Sequence, residues 1–386
     1  MNSYKVIMLG PSGAGKTVFL SSMFHRLSIQ SDRIGFYLST PPAQRKLLVD
    51  KYNQLESSSW PEGTKSNEFR EWQFTCQVQS ESIGQYPALS FSYLDYAGGD
   101  LTTTVPGIEL NQLDEHINAA DVLMGLLDGY KIYCLLANVP YEGPSIYQDL
   151  GNILPIMQEK SKSIPCHFVI SKWDILQDNF SLEQVRAKLE EDDRFANFIS
   201  LRRNIRVPIR IIPVSAVGLG YAVPNADGAN GKMNINPGVR PQPFQVEMPL
   251  ACVLPDRLET YLHEIIKERI KLERTEANSL PPDYAPFDLL GKFFGSSLKR
   301  LNEHLPLPYR FTEPILLSLV DYLERGAVKR EEEAIQREQR LKQERELSLS
   351  KVEDEETAIT HVVTCMLQLI KQLEITFPAS NLTKSI

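Results

Sequence analysis

Four short stretches of the chain combine residue types that handle phosphate, a divalent cation and the edge of a purine. The first, Gly10-Pro11-Ser12-Gly13-Ala14-Gly15-Lys16-Thr17, fits the pattern G-x-x-x-x-G-K-[ST]. Glycines free of a Cβ let such a loop turn its N–H groups inward around a phosphate. The ammonium of Lys16 reaches the β- and γ-phosphates, the hydroxyl of Thr17 suits Mg²⁺, and the helix that opens there adds partial positive charge. Gly10, Ser12, Gly13, Ala14, Gly15, Lys16, Thr17 and Val18 are the candidate phosphate-binding residues; Pro11 has no N–H to donate. The bland alternative is a Gly-rich turn that carries a lysine by chance. It fits poorly, because an apolar run of strand length, Tyr4 to Leu9, leads in, and Val18, Leu20, Met23, Phe24 and Leu27 follow at helical spacing.

The other three stretches choose the nucleotide. In Asp95-Tyr96-Ala97-Gly98 a carboxylate at a strand end can join the Mg²⁺ shell, directly or through water, and the Gly98 N–H can sense a γ-phosphate. In Ser171-Lys172-Trp173-Asp174 the Asp174 carboxylate can accept from the guanine N1–H and 2-amino group, while Lys172 can lie along the base and ribose. Adenine offers neither donor, so a buried carboxylate facing it would be left unpaired. Ser215-Ala216 can present a backbone N–H to the guanine O6. GTP or GDP with Mg²⁺ is therefore the expected ligand set. Each stretch alone is a weak signal; together, at the carboxyl ends of successive expected strands, they are a strong one.

Those strands must come from an α/β chain. Helix is expected from Lys16 to about Ile29 and from Gln44 to Leu55, and a hairpin from Trp72–Val78 and Leu89–Tyr93 with Gly84 and Pro87 between. Further helix is expected over 109–118, 144–160, from an N-cap at Ser181 onward, and over 254–272; further strands over 120–128, 166–170 and 206–214. Strands alternating with helices feed a mostly parallel sheet. One nucleotide-binding domain is expected over residues 1–273, with insertions at 31–63 and 221–247, the second rich in Gly, Asn and Pro and read as surface loop. Residues 274–386 form a C-terminal α-helical region with a charged connector over 329–355. The apolar face from Ile359 to Leu373 needs cover, either from helices at 287–325 as a small bundle or from another protein.

Composition bounds the rest. A chain of 386 residues with 42% hydrophobic and 23% charged residues is globular, and its net charge of −8 argues against a general binder of nucleic acid or anionic membrane. The five cysteines are scattered without a C-x-x-C, which points to reduced thiols in a cytoplasmic protein rather than a zinc site or disulfide framework. No leader and no run of eighteen apolar residues is visible, so no membrane span is expected.

On these motifs the first two-thirds of the chain resembles a Ras-like GTPase domain of the translation-factor-related class. That resemblance implies a P-loop NTPase G domain: a mostly parallel sheet with one antiparallel hairpin and helices on both faces. Ser171 departs from the Asn or Thr usual at the start of the guanine motif. The family also carries a switch threonine on Mg²⁺ before the hairpin; Trp60-Pro61-Glu62-Gly63-Thr64 looks like that segment and makes Thr64 the metal and catalytic candidate. This segment, the phosphate loop and the extra helix are similar to the bacterial double-GTPase families of conflict and defence gene clusters, which implies another GTPase or effector protein as partner.

Hydrolysis is expected to be slow. Gly99 stands where Ras-like proteins carry the glutamine that orients water, and Ser12 occupies a position often glycine. Asp100, a threonine of 102–104, or a partner's arginine would have to substitute. The leading expectation is a GTP-binding switch that couples nucleotide state to a partner through its C-terminal helices. A scaffold holding GTP or GDP as a structural cofactor is the alternative, and an ATP-using P-loop enzyme, which gives Asp174 no role, is the third.

Overall fold

The structure, a computed structural model, describes residues 3–62, 69–96, 115–160, 163–224, 233–276, 303, 305–312, 315–317, 322 and 334–383. The apolar run before Gly10 forms strand β1 (Ser3–Leu9), buried on both faces from Val6 onward as in a central parallel strand. Tyr4, Val6 and Met8 enter one core; Ile7 and Leu9 enter a second core on the opposite face. Around it lie β2 (Tyr37–Ser39), β3 (Phe69–Ser80), β4 (Gly84–Tyr96), β5 (Val122–Asp128), β6 (Cys166–Ser171) and β7 (Ile209–Pro213). The order is β2-β3-β4-β1-β5-β6-β7. β3 runs antiparallel to both its neighbours, and all other neighbouring strands are parallel. Trp72 pairs with Tyr93 and Phe74 with Phe91, the alternation seen in the sequence. The register slips between Cys76 and Gln77, and Pro87 sits opposite Gln77 at that irregularity, where a missing N–H does least harm to the ladder.

Helices cover both faces. The first core receives α1 (Lys16–Arg26), α2 (Pro42–Glu56), the long helix Met248–Glu276 and the last helix Glu355–Thr376. The second receives α3 (Gly129–Leu136), α4 (Ser145–Lys160), α5 (Trp173–Leu176), α6 (Leu182–Leu189) and α7 (Asp193–Ile205). The long helix is α8; α9 (Ala334–Ser350) and α10 (Glu355–Thr376) complete the set.

Several boundaries differ from expectation for local reasons. α1 stops at Arg26, capped by Leu27, three residues before Ile29. α3 follows β5 without a loop, so no turn residues announce it; Asp128 ends the strand and caps the helix, accepting from the Tyr130 N–H at 2.9 Å. The single helix expected after Ser181 is two, and the capping box at its start uses Gln184 at the third position, with Glu183 one residue earlier. β7 starts at Ile209 because Arg206 ends α7 in the left-handed region. Of the helix expected over 109–118, residues 115–118 are helical and 109–114 lie outside the described residues. The 221–247 insertion, expected as plain loop, holds an antiparallel pair, β8 (Ala222–Pro224) and β9 (Met233–Ile235).

The C-terminal part joins the sheet. α8 begins at Met248, six residues before the expected start, and continues past residue 273. α9 is largely solvated, as its charge density requires, but Leu341 and Arg345 are buried. The face of α10 is covered by α8, β3, β4 and α9. Of the 287–325 stretch expected as a bundle, Leu305, Tyr309, Phe311, Ile315, Leu316 and Tyr322 lie in the same core, and most of the stretch lies outside the described residues. Both C-terminal helices reach the first insertion as well: Arg345 Nε of α9 donates to the Asp32 carbonyl at 2.7 Å, and His361 Nε2 of α10 meets the Gly35 carbonyl at 2.8 Å.

A buried ionic network fixes α8 and α10 to the sheet. Arg210 on β7 donates from Nε and Nη2 to both oxygens of Asp256 on α8, at 2.6 and 2.7 Å, and from Nη1 to Glu374 on α10 at 2.9 Å. His167 Nε2 lies 2.8 Å from Asp256 Oδ2, and the Tyr322 hydroxyl donates to Glu374. Burial alone would raise the Asp256 carboxyl; the Arg210 guanidinium and the His167 bond outweigh it and hold the group at about 2, below its ordinary 3.8. The network's contribution through Asp256 is thus complete above the ordinary value and lost as pH falls towards the depressed one. Removing one partner strands the others, so Arg210→Met is expected to cost about 3–5 kcal/mol. Thermal unfolding followed across pH should show a lower midpoint and acid unfolding displaced to higher pH; an unchanged acid limb would mean that Arg210 does not hold Asp256 charged.

Candidate functional site

The Gly10–Thr17 loop spans from β1 to α1, and its glycines serve two needs. Gly13 and Gly15 have φ of 82° and 90°, in the left-handed region. Gly10 instead lies against β5, where an added Cβ would come within 2.9 Å of the Leu126 carbonyl oxygen. Gly15 is the N-cap of α1 and brings no side chain to cover the helix's first amides. Lys16 Nζ reaches back across the loop and donates to the carbonyls of Gly10 at 2.7 Å and Pro11 at 3.2 Å. Burial lowers its pKa, and the nearby Asp95 carboxylate partly restores it. Thr17 Oγ1 donates to Asp95 Oδ2 at 3.3 Å, so the loop hydroxyl and the strand-end carboxylate meet. Both are buried.

Beside the loop, β6 ends in Ser171 and the chain turns sharply through Lys172, at φ 53°. Ser171 Oγ donates to the Leu127 carbonyl at 3.1 Å, which ties this turn to β5 with a side chain shorter than Asn. Lys172 Nζ is held by Asp128 Oδ2 at 2.7 Å. Asp174 is buried; burial raises its pKa, opposed by the Ser215 hydroxyl, its own backbone and Lys172. Ser215 Oγ donates to Asp174 Oδ1 and also accepts from the Gly218 N–H at 2.7 Å. Thus the motif after β7 orients the carboxylate of the motif after β6.

These parts share one cavity of about 440 Å³. Gly13, Ala14 and Gly15 of the glycine-rich loop, with Val18, line one side of it. Lys172, Asp174 and Ala216 line another. Ser215 joins it through its bond to Asp174, whereas Lys16, Thr17 and Asp95 are not among its lining residues and adjoin it only in the chain or through one another. Gly10 stands at the loop's entry, and Ser12 is exposed. Thr64, Gly98 and Asp100 lie outside the described residues, as do Gly99 and Thr102 to Thr104.

Two contributors escaped the sequence reading. Asp128 had a usable signal, since it is a carboxylate at the end of a strand that neighbours the site. The second is a wall built by the two insertions: Trp60 from the first, and Ala222, Met233 and Asn234 from the second. Strands of three residues give no periodicity to detect, so only the structure reveals that wall.

Among the described residues no group of three or more His, Cys, Asp or Glu could hold a metal. A Mg²⁺ site of the expected kind needs no such group, because one carboxylate and one hydroxyl are completed by phosphate and water oxygens. The hard oxygen donors of Thr17 and Asp95 fit that ion. No helix among the described residues is long and apolar enough to cross a membrane. No family model and no curated protein matches the chain.

Proposed function

We propose that the chain is a GTP-binding switch built on a P-loop G domain, with slow intrinsic hydrolysis, that reports its nucleotide state to another GTPase or effector protein. One observation carries the reading: a single cavity is lined by the phosphate loop, by Asp174 and by Ala216, at the carboxyl ends of β1, β6 and β7. Ligands in open α/β sheets bind at this edge. Gly13 to Lys16 would cradle the phosphates, Asp174 would accept from the guanine N1–H and 2-amino group, and the Ala216 N–H would donate to O6. Thr17 and Asp95 would hold Mg²⁺, which when bound supplies positive charge to the phosphate oxygens. Thr64 and Asp100 are the proposed residues for switching and for water orientation. The buried free cysteines are in keeping with a cytoplasmic setting.

Binding of GDP, GTP, ADP and ATP with Mg²⁺, measured by calorimetry on the full chain, tests the reading. Guanine nucleotides should bind far more tightly than adenine nucleotides; equal affinities would overturn the assignment. Thr17→Ala should weaken GTP by about tenfold and GDP less, because the γ-phosphate shares the ion with the Thr17 hydroxyl. Equal losses for the two would remove the metal role from Thr17.

A further inference from the structure

Trp60 is 38% exposed, yet it is fixed in place by groups far away in sequence. Its Nε1–H donates to the Met233 carbonyl at 2.8 Å, and its ring stands edge-on to Tyr221 with centroids 5.8 Å apart. Tyr221 is anchored in turn, its hydroxyl donating to the Leu55 carbonyl at 2.7 Å at the end of α2. Tyr52, Leu55, Val217, Tyr221 and Ala222 form a small core of their own beneath this arrangement. The two insertions are therefore clasped to each other, and the clasp forms a wall of the cavity whose other walls hold Lys172, Asp174 and Ala216.

The indole has one hydrogen-bond donor, and Met233 uses it. What Trp60 still offers to the cavity is an apolar π surface. Such a surface next to the carboxylate that reads a base edge suits the flat face of that base. We propose that Trp60 is a base-binding residue of the nucleotide site, closing over the purine ring by stacking, with Met233 and Tyr221 as the residues that position it. The inference rests on the guanine-nucleotide reading and divides its labour: Asp174 selects the base by its edge, and Trp60 adds affinity through its face. Stacking is indifferent to edge chemistry, because every base has a π face.

The test compares two variants of the full chain by GDP calorimetry with Mg²⁺, alongside melting of the unliganded protein. Trp60→Phe keeps an aromatic ring and loses the Met233 bond; Trp60→Leu keeps apolar bulk and loses the π face. A residue that only packs the clasp would respond to lost bulk and not to lost aromaticity. Stacking predicts that Trp60→Leu weakens GDP by about tenfold or more, whereas Trp60→Phe stays within about threefold of the unsubstituted chain. Unliganded melting should be nearly the same for both variants. If Trp60→Leu binds GDP as the unsubstituted chain does, or if both variants weaken it equally, Trp60 is not a stacking residue. Failure of the unsubstituted chain to bind GDP overturns the guanine-nucleotide reading and this inference together, so the two failures are distinguishable.

Discussion

A chain lacking residues 329–386 is expected to lose its fold, and with it the proposed nucleotide site, altogether. The sequence alone suggests the opposite result, because a charged segment separates the apolar face of Ile359 to Leu373 from everything before it. In the structure Val362, Val363, Met366, Leu367, Leu369, Ile370 and Leu373 of α10 are all buried, and they belong to the same core as Val6 and Met8 of β1. At about 1.5 kcal/mol for each such side chain, exposing them forgoes about 10 kcal/mol, comparable with the whole stability of an ordinary domain. Deletion also bares the groups that α10 covers on β3, β4 and α8, and it removes Glu374 from Arg210. The truncated chain should therefore show little cooperative melting, bind hydrophobic dyes and give no heat with GDP. A soluble, cooperatively melting truncation that still binds GDP would mean that α10 is an accessory to the domain and not part of its core.

How much of this was legible beforehand depends on how local each signal is. The glycine-rich loop, the β3–β4 hairpin and the four motif-bearing strand ends are written in runs of neighbouring residues, and they fall where the periodicity puts them. The meeting of Thr17 with Asp95, and of Asp174 with Ser215, follows from motif order because parallel strands deliver their carboxyl ends to one edge. Other features are not local. Apart from the neighbouring α9, the cover for α10 comes from distant parts of the chain, α8, β3 and β4, and amphipathicity says only that a cover is needed. Trp60 and Met233 meet through one side-chain-to-carbonyl bond between two insertions, for which neither segment carries a pattern. Arg210 and His167 sit inside apolar strand runs and Asp256 on a mixed helix, and none of the three gives a clue to its partner.

Asp174→Asn is expected to convert the base preference from guanine towards xanthine while leaving the fold intact. The Ser215 hydroxyl donates to Asp174 Oδ1, so the amide that replaces the carboxylate has its carbonyl oxygen held on that side and its NH₂ where Oδ2 stood. The cavity then meets a donor in place of an acceptor. Guanine presents its N1–H and 2-amino group there, donor against donor, whereas xanthine presents a carbonyl at the same carbon. A site built on such a hydrogen bond rejects the mismatched ligand by roughly 10⁴-fold, so GDP binding should fall by about that factor and xanthosine diphosphate should gain. Stability should not suffer, since burial already disfavours the charged carboxylate and the neutral amide escapes that penalty. The same raised pKa gives a second readout. The unsubstituted chain should lose GDP affinity on acidification earlier than an ordinary carboxylate would, because the ionised acceptor is lost as pH falls through the raised value; the amide variant should show no such loss with xanthosine diphosphate. Calorimetric titrations of both proteins with the two diphosphates, at neutral and mildly acidic pH, decide the matter. An Asp174→Asn chain that still prefers GDP would show that this carboxylate faces something other than the base.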